Sequence, residues 1–248
     1  MLILRSLIFN AVFVVYHLAL ILGLTALMPF PRMWSQGFVR MWTQGGKALL
    51  KGIVGLGVEF RGLQNLPQGP CVIVSKHQSA WDTFAFYILA DDPNYILKKE
   101  LTRIPFWGWC ALSCGAISVD RSGGGAALKG LLRDTQDRLA KGRQVVIFPE
   151  GTRTAPGARL DYFPGVAAID GHTDVPIVPV ALNSGLFWGR GSFLKKPGVI
   201  TIEILPPMAK GLKRRQFMTD LESRIEGASD KLMAEARDAR SVSSNWSA

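Results

Sequence analysis

The stretch SKHQSAWD at residues 75–82 places a histidine, His77, five residues before a carboxylate, Asp82. At about 100° per residue, side chains with this spacing point roughly 140° apart on a regular helix, so one helical face cannot bring them together. A histidine oriented by a carboxylate is a general base suited to neutral pH, and such a base typically speeds a reaction by roughly 10²–10⁴-fold. A pair of this kind requires a loop that lets the chain fold back on itself.

The residues around His77 predict such a loop. The apolar run CVIVS is typical of a buried strand, and a helical pattern starts after Ser79. Ser79 followed three residues later by Asp82 resembles a capping box, which would put the carboxylate in the first helical turn. His77 would then lie at the end of a strand, the edge at which open α/β sheets bind ligands. The alternative is a surface histidine beside a helix cap.

Two other predicted strand ends carry charged side chains. VIFPEGTRT (146–154) runs from a strand into four residues suited to ligand binding: Glu150, Gly151, Thr152 and Arg153. The glycine lets the backbone approach a ligand closely, and the threonine and arginine offer donors for phosphate oxygens. GAISVDRSGGG (115–125) ends a strand with Asp120 and Arg121. The alternatives are a plain turn with a solvated arginine for the first segment and a surface ion pair for the second.

The pattern along the chain predicts the elements that position these side chains. Six short β-branched runs are predicted as strands: residues 71–75, 94–98, 115–119, 144–148, 176–182 and 199–205. Helical patterns lie between them and at the C-terminus, at 82–90, 126–142 and 216–240. This alternation predicts an α/β fold with a mostly parallel, mixed sheet flanked by helices. Pro176 and Pro179 argue against an ordinary central strand, so we interpret residues 175–183 as a shaped wall.

Residues 7–30 form an apolar stretch without a formally charged side chain. About 20 apolar residues can cross the hydrocarbon core of a bilayer, so we expect a membrane-associated helix. The alternatives are a buried core helix and a cleaved signal peptide, although the run is too long for a signal and no A-x-A-like site follows. Residues 41–60 are interpreted as a second helix on the membrane surface. The predicted units are N-terminal anchoring helices at 1–58 and an α/β domain at 59–248.

Charged residues indicate the partners and the side of the membrane. The net charge is +10, from 29 Lys and Arg against 19 Asp and Glu, which suits a polyanion such as nucleic acid or anionic lipid. No helix-turn-helix, zinc-finger or aromatic ribonucleoprotein pattern is present, so we expect lipid and no nucleic acid. Arg5 alone precedes the apolar span, whereas five basic residues follow it: Arg32, Arg40, Lys47, Lys51 and Arg61. This asymmetry predicts that the α/β domain is cytoplasmic.

The three cysteines, Cys71, Cys110 and Cys114, are an odd number without a paired CxxC spacing. We interpret them as small core residues of a protein in a reduced compartment. The histidines His17 and His172 lie too far from His77 in sequence to suggest a local metal motif. No metal site is therefore predicted.

The ordered set of motifs resembles the glycerolipid acyltransferase superfamily, and within it bacterial lysophosphatidic acid acyltransferases. The family's H-x4-D motif matches His77 and Asp82, and its apolar strand ending in an arginine matches Asp120 and Arg121. Its F-P-E-G-T-R and V-P-I-V-P blocks are present at 148–153 and 175–179. A single H-x4-D is weak, but four motifs in the expected order make the resemblance specific.

The resemblance implies transfer of a fatty acyl chain from a thioester, acyl-CoA or acyl carrier protein, to a lysophospholipid. The acceptor would be the sn-2 hydroxyl of lysophosphatidic acid, and the product phosphatidic acid. In that scheme His77 takes the proton of the hydroxyl, which attacks the thioester directly, and Asp82 orients His77. The family positions for binding the acceptor and its phosphate are Arg121, Glu150, Gly151 and Arg153, and Thr152 is predicted to bind substrate with them. No metal or covalent cofactor is required, and the implied location is the bacterial inner membrane.

Three alternatives to this reading are a different acceptor, hydrolysis and a role without catalysis. Family members often carry a basic residue just before the position of Gly165, where this chain has Phe163 and Pro164, so another lysolipid such as a lyso-ornithine lipid is an alternative acceptor. A thioesterase is disfavoured because no G-x-S-x-G elbow occurs. A non-catalytic lipid-binding protein is disfavoured because both His77 and Asp82 are present.

Overall fold

The computed structural model describes residues 1–120 and 123–245, with side chains described as far as residue 239. The strands within these residues are β1 (Leu56–Arg61), β2 (Val72–Ser75), β3 (Pro93–Lys98), β4 (Ile117–Val119), β5 (Gln144–Ile147), β6 (Ile177–Leu182) and β7 (Gly198–Ile204). They form one sheet in the order β1-β7-β6-β2-β5-β3-β4. Neighbouring strands are parallel except β6 and β7, which are antiparallel.

The helices of the described chain are α1 (Leu2–Leu27), α2 (Arg32–Leu49), α3 (Asp82–Leu89), α4 (Lys99–Thr102), α5 (Trp107–Ser113), α6 (Gly124–Ala140), α7 (Gly165–Asp170) and α8 (Arg214–Asn245). They cover both faces of the sheet. Side chains alternate along β2, so Ile73 packs in one core cluster with Phe86 of α3. Val74 packs in the other, with Leu131 of α6 and Phe217 of α8. The predicted α/β fold, a mostly parallel sheet flanked by helices, is confirmed.

All six predicted strands are present, each within two residues of its predicted bounds. The interpretation of residues 41–60 as one membrane-surface helix is wrong over its second half. Helix α2 passes into a π-helical turn at Leu50–Val54, and Gly55 ends that turn with φ of 76°, a left-handed conformation that costs glycine little. The chain then forms the edge strand β1, which pairs with β7.

The prediction that residues 175–183 are not an ordinary central strand is also wrong. β6 lies between β2 and β7 and is buried along its whole length. Pro179 is tolerated because of its position relative to the hydrogen bonds between β6 and β7. Pairing with β7 begins one residue later, at Val180 opposite Ile204, so the missing N–H falls at the end of the partner strand. The carbonyl of Pro179 still accepts a bond from the backbone N–H of Leu205 at 3.0 Å.

The first two helices form an antiparallel pair. The rings of Tyr16 and Trp42 stack with centroids 5.1 Å apart, and each side chain donates a hydrogen bond to the other residue's carbonyl, at 2.8 and 2.9 Å. Small residues permit this approach. A Cβ on Gly23 would lie 2.4 Å from the Phe38 ring, and one on Gly45 would lie 2.1 Å from the Tyr16 hydroxyl. The helices therefore pack as one unit.

This helix pair packs on the α/β domain. The Arg32 guanidinium binds the carboxylate of Asp92, and Gln36 donates to the Cys114 carbonyl at 2.7 Å. At the other end of the pair, Phe9 is fully buried against Trp188, with ring centroids 5.5 Å apart. The division of the chain into units at 1–58 and 59–248 stays a prediction.

Candidate active site

The loop between β2 and α3 brings the histidine and the carboxylate together. His77 Nδ1 lies 3.1 Å from Asp82 Oδ2, and the same oxygen accepts the backbone N–H groups of Gln78 at 2.7 Å and Ser79 at 2.8 Å. Asp82 is the first residue of α3, and the N–H of Trp81 bonds Ser79 Oγ at 3.1 Å. Half of the expected capping box is therefore present: the carboxylate accepts the Ser79 N–H and faces the imidazole. The Ser79 hydroxyl accepts the N–H of Trp81, the residue that caps the helix, and not that of Asp82.

The backbone of His77 is held on both sides. Its N–H donates to Glu150 Oε2 at 3.0 Å, and its carbonyl accepts bonds from the N–H and the hydroxyl of Thr154, at 2.8 and 3.1 Å. Its ring stacks on Phe148 with centroids 4.0 Å apart and an interplanar angle of 17°. Because Nδ1 faces Asp82, Nε2 is the nitrogen left for a substrate, and the side chain keeps 14% of its surface exposed.

The arrangement can perform general-base catalysis. A buried carboxylate that accepts a hydrogen bond from Nδ1–H fixes the tautomer in which Nε2 carries the lone pair. The same carboxylate stabilises the imidazolium that forms when Nε2 takes a proton. The cysteines do not compete as nucleophiles. Burial raises the pKa of the Cys71 and Cys114 thiols to about 12 and also raises the pKa of Cys110, so the thiolate form is scarce near neutral pH.

Glu150 lies under the catalytic loop. Its Oε1 accepts bonds from Lys76 Nζ at 2.6 Å and from the Thr154 hydroxyl at 2.9 Å, while Oε2 holds the His77 amide. Burial raises the pKa of Glu150, against the opposing effect of the nearby Lys76 ammonium. Gly151, with φ of 66°, provides the left-handed turn that follows. A substrate-binding role for Glu150 and Gly151 stays a prediction, because the observed contacts of the carboxylate are internal.

Arg153 and Thr152 lie half-buried in the same turn. Within the described chain the Arg153 guanidinium has no carboxylate partner, and the Arg153 carbonyl accepts a bond from the Arg190 guanidinium at 3.5 Å. An arginine that has no carboxylate partner in the described part of the chain is available to an anionic ligand. The predicted roles of Arg153 and Thr152 in substrate binding remain predictions.

The other predicted charged pair lies farther along the sheet edge. Asp120 follows β4, three strand spacings or roughly 14 Å from β2, and accepts a bond from Lys99 Nζ at 3.1 Å. Arg121 lies outside the described residues, so its role stays a prediction. Sequence analysis overlooked Lys76, which follows β2 directly and has a buried ammonium 2.6 Å from Glu150 Oε1. A lysine at a predicted strand's carboxyl end was the signal that could have found it.

Comparison with known proteins identifies the family and agrees with this fold. The family model described as Acyltransferase matches residues 57–183, and the chain belongs to this acyltransferase family. The chain is 37% identical over 187 residues to the 1-acyl-sn-glycerol-3-phosphate acyltransferase of Pseudomonas aeruginosa, covering 75% of this chain and 73% of that protein. It is 31% identical over 163 residues to the mouse 1-acyl-sn-glycerol-3-phosphate acyltransferase alpha, covering 64% of this chain and 57% of the relative.

A solved structure shows the same fold over nearly the whole chain. The crystal structure of the 1-acyl-sn-glycerophosphate (LPA) acyltransferase of Thermotoga maritima superimposes with a TM-score of 0.74 at 23% identity. The match covers 94% of this chain and 96% of that one. The fold identified from the strands and helices is therefore that of a known acyltransferase, including the segment that contains the N-terminal helix pair.

The geometry of the catalytic loop predicts separate effects for its two reactive residues. We expect His77→Ala to lower the turnover number by roughly 10²–10⁴-fold, because the proton acceptor is lost. Asp82→Asn should lower turnover and also the unfolding temperature in detergent, because the loop amides of Gln78 and Ser79 lose a charged acceptor. Initial rates and thermal unfolding would be measured on the same preparations.

The control for these variants is His172→Ala, which removes an exposed imidazole whose hydrogen bond is to the Ala168 carbonyl. It should leave turnover unchanged. A His77→Ala protein with turnover within tenfold of wild type would show that His77 is not the general base.

Proposed function

We propose that this acyltransferase moves a fatty acyl group from an acyl thioester to the sn-2 hydroxyl of lysophosphatidic acid, giving phosphatidic acid. The observation that carries the proposal is the His77–Asp82 pair at an open strand end, next to a turn in which Arg153 has no carboxylate partner among the described residues. The acceptor named for the acyltransferases of Pseudomonas aeruginosa and mouse supports the same assignment. Either acyl-CoA or acyl carrier protein would serve as the donor, with no metal or covalent cofactor.

The proposed reaction is a direct transfer. His77 Nε2 takes the proton of the acceptor hydroxyl as the oxygen attacks the thioester carbonyl, and Asp82 stabilises the imidazolium. Formation of the new C–O bond gives a tetrahedral intermediate, and collapse of that intermediate breaks the C–S bond. The sulfur leaves with the proton that the imidazolium returns. The histidine therefore ends each turnover in its starting state, and no acyl-enzyme is needed.

The phosphate of the acceptor is proposed to bind Arg153. A guanidinium binds a phosphate through two parallel hydrogen bonds, which fixes orientation as well as charge. Thr152 would add a hydroxyl donor from the same turn. Arg121 is proposed as a further cation for the acceptor, from the segment that follows Asp120. The cationic composition of the chain, with a net charge of +10, favours encounter with an anionic lipid.

The acyl chain is proposed to enter an apolar cavity between α2, α3, β3 and α5. Its lining includes Tyr87, Tyr95, Leu97, Trp107 and Cys110. Tyr95 connects this cavity to the catalytic loop, because its ring lies 6.2 Å from that of Phe148, on which His77 stacks. An acyl chain in this cavity would present its thioester near Nε2.

The membrane contact is proposed to involve the exposed face of α1. Within the described chain α1 is the helix long and apolar enough to cross a bilayer, and its outward apolar side chains include Leu7, Val15 and Leu22. Both ends of α1 contact the α/β domain. Asn10 donates to the Phe193 carbonyl at 2.9 Å, and Thr25 Oγ1 lies 3.8 Å from Cys110 Sγ. A helix held in this way suits a position along one leaflet better than a lone span through both.

Helices α4 and α5 extend this apolar surface. The exposed large apolar side chains of these helices and of the loop between them are Leu101, Ile104, Phe106, Trp109 and Leu112. α5 packs beside α1 and also lines the apolar cavity, so lipid contact here would place the cavity next to the source of its substrates. Aromatic side chains are suited to the membrane interface.

The cytoplasmic side of the bacterial inner membrane is proposed as the location. Five basic residues follow the apolar N-terminal span, and three of them have contacts within the protein. Arg32 binds Asp92, Arg40 binds the Ala90 carbonyl, and Arg61 binds Glu235. Lys47 and Lys51 stay available for anionic headgroups, each worth about 1 kcal/mol near the surface.

The acceptor requirement tests the proposal. Purified protein would be given a long-chain acyl-CoA with and without lysophosphatidic acid, and thiol release followed. We expect release only when the acceptor is present, because the hydroxyl is the nucleophile. Release without acceptor indicates hydrolysis and contradicts the proposal. Release with lyso-ornithine lipid but not with lysophosphatidic acid would show that lyso-ornithine lipid is the acceptor.

The phosphate contact predicts a specific kinetic effect. Arg153→Ala should raise KM for lysophosphatidic acid by roughly 10–100-fold with little change in turnover, because a charge-assisted pair is lost in both the ground and transition states. Arg153→Lys should recover part of the loss, since an ammonium offers charge without the planar fork. The matched control is Arg133→Ala on α6, whose side chain is 79% exposed. An unchanged KM in Arg153→Ala would refute the phosphate contact.

The lipid-facing surface predicts a labelling pattern. The native cysteines are buried, so Trp109→Cys would supply an accessible thiol for a polarity-sensitive dye. We expect its emission to shift to the blue and to be quenched by vesicles of phosphatidylglycerol with brominated acyl chains. Leu160→Cys, an exposed apolar position on the loop after Arg153, is the control and should show neither change. Equal responses at both positions would contradict the proposed surface.

A further inference from the structure

Lys76, the residue before the catalytic histidine, has a fully buried ammonium. Its side chain is 1% exposed, and Nζ lies 2.6 Å from Glu150 Oε1 and 2.7 Å from Glu226 Oε1. A third acceptor, the Ala158 carbonyl, lies at 3.3 Å. An ammonium has three N–H donors, so each has an acceptor. A buried charge is unfavourable unless it is paired in this way, so the position tolerates little change.

The contacts of Lys76 reach the C-terminal helix. Glu226 belongs to α8, 150 residues along the chain, and its Oε1 also accepts the hydroxyl proton of Tyr162 at 2.9 Å. Burial and the neighbouring carboxylate of Glu226 raise the pKa of Tyr162, so this phenol stays a donor. The buried cluster therefore consists of the Lys76 ammonium between the carboxylates of Glu150 and Glu226. Each carboxylate also accepts a hydrogen bond from one hydroxyl group, that of Thr154 or Tyr162.

The same contacts reach the catalytic base. Glu150 binds Lys76 through Oε1 and the His77 amide through Oε2. The Thr154 hydroxyl bonds both Glu150 Oε1 and the His77 carbonyl. An unbroken series of contacts therefore runs from Glu226 through Lys76 and Glu150 to the backbone of His77. Each step is shorter than 3.1 Å.

We propose that Lys76 and Glu226 are positioning residues for the transfer reaction, which hold Glu150 in place so that Glu150 fixes the backbone of His77. This inference rests on the proposed function. It makes α8 part of the catalytic apparatus rather than only a cover for the sheet. Because a displacement of about 1 Å in a reacting group can cost roughly 10²-fold in rate, the effect should appear in turnover.

The principal test is Lys76→Met in acceptor-dependent thiol release. Without the ammonium, two buried carboxyl groups face each other and Glu150 loses its anchor. We expect turnover to fall by roughly 10–100-fold with KM for lysophosphatidic acid changed by less than about threefold. In the His77→Ala background, Lys76→Met should lower the rate no further, because the two residues act through one base.

A second variant separates positioning from stability. Lys76→Met combined with Glu226→Leu removes the cation and one carboxylate together, and apolar replacement of a buried ion pair is often neutral or stabilising. We expect the unfolding temperature to recover toward wild type while turnover stays low. The matched control is Lys195→Met, since Lys195 is also buried but bonds the carbonyls of Ser192 and Phe193. It should lower stability without changing turnover.

Hydrogen exchange supplies a readout that needs no substrate. The His77 amide should exchange faster in Lys76→Met than in wild type, because Glu150 no longer holds it, whereas amides of β3 should be unchanged. Unchanged exchange at His77, or turnover that recovers together with stability in the double variant, would overturn the inference. Failure of the wild-type protein to acylate any acceptor would instead overturn the proposed function, and the exchange result would still decide the role of Lys76.

Discussion

One oxygen atom organises the catalytic loop. Asp82 Oδ2 receives the N–H groups of two consecutive loop residues and lies against the imidazole of His77, so the carboxylate that orients the base also shapes the loop that carries it. Side chains five residues apart point away from each other on a regular helix. His77 and Asp82 can still form a hydrogen bond because the helix starts only at Asp82, which leaves His77 in the preceding loop. The pair therefore depends on the junction of β2 with α3, and the sheet must hold that junction rigidly.

The sheet order decides which motifs reach the base. β5 lies beside β2, so the turn after β5 brings Glu150 under His77 and Arg153 to the same edge. β4 is the edge strand on that side, which places Asp120 beyond contact distance. In lysophosphatidic acid the phosphate is carried by the carbon next to the one that carries the sn-2 hydroxyl, so a phosphate site must lie within a few ångströms of the base. The turn after β5 meets this requirement better than the end of β4 does.

Sequence patterns predicted the features that depend on residues close together in the chain. β-branched runs identified six strands, and the capping signal at Ser79 and Asp82 identified the catalytic loop. β1 was missed because a short strand with glycine and charged residues lacks the apolar run of a buried strand, and Pro179 was misread because its tolerance depends on where β7 ends. The Lys76–Glu226 contact joins residues 150 positions apart, and no local pattern predicts such a pair.

The central claim is that the His77 site transfers an acyl chain to a lipid hydroxyl instead of to water. The measurement that tests it most directly is the molar ratio of phosphatidic acid formed to CoA released, determined by mass spectrometry on the purified protein with lysophosphatidic acid and a long-chain acyl-CoA. A direct transfer predicts a ratio of about one, because each broken thioester yields one ester. A ratio far below one, with free fatty acid accounting for the difference, would contradict the account.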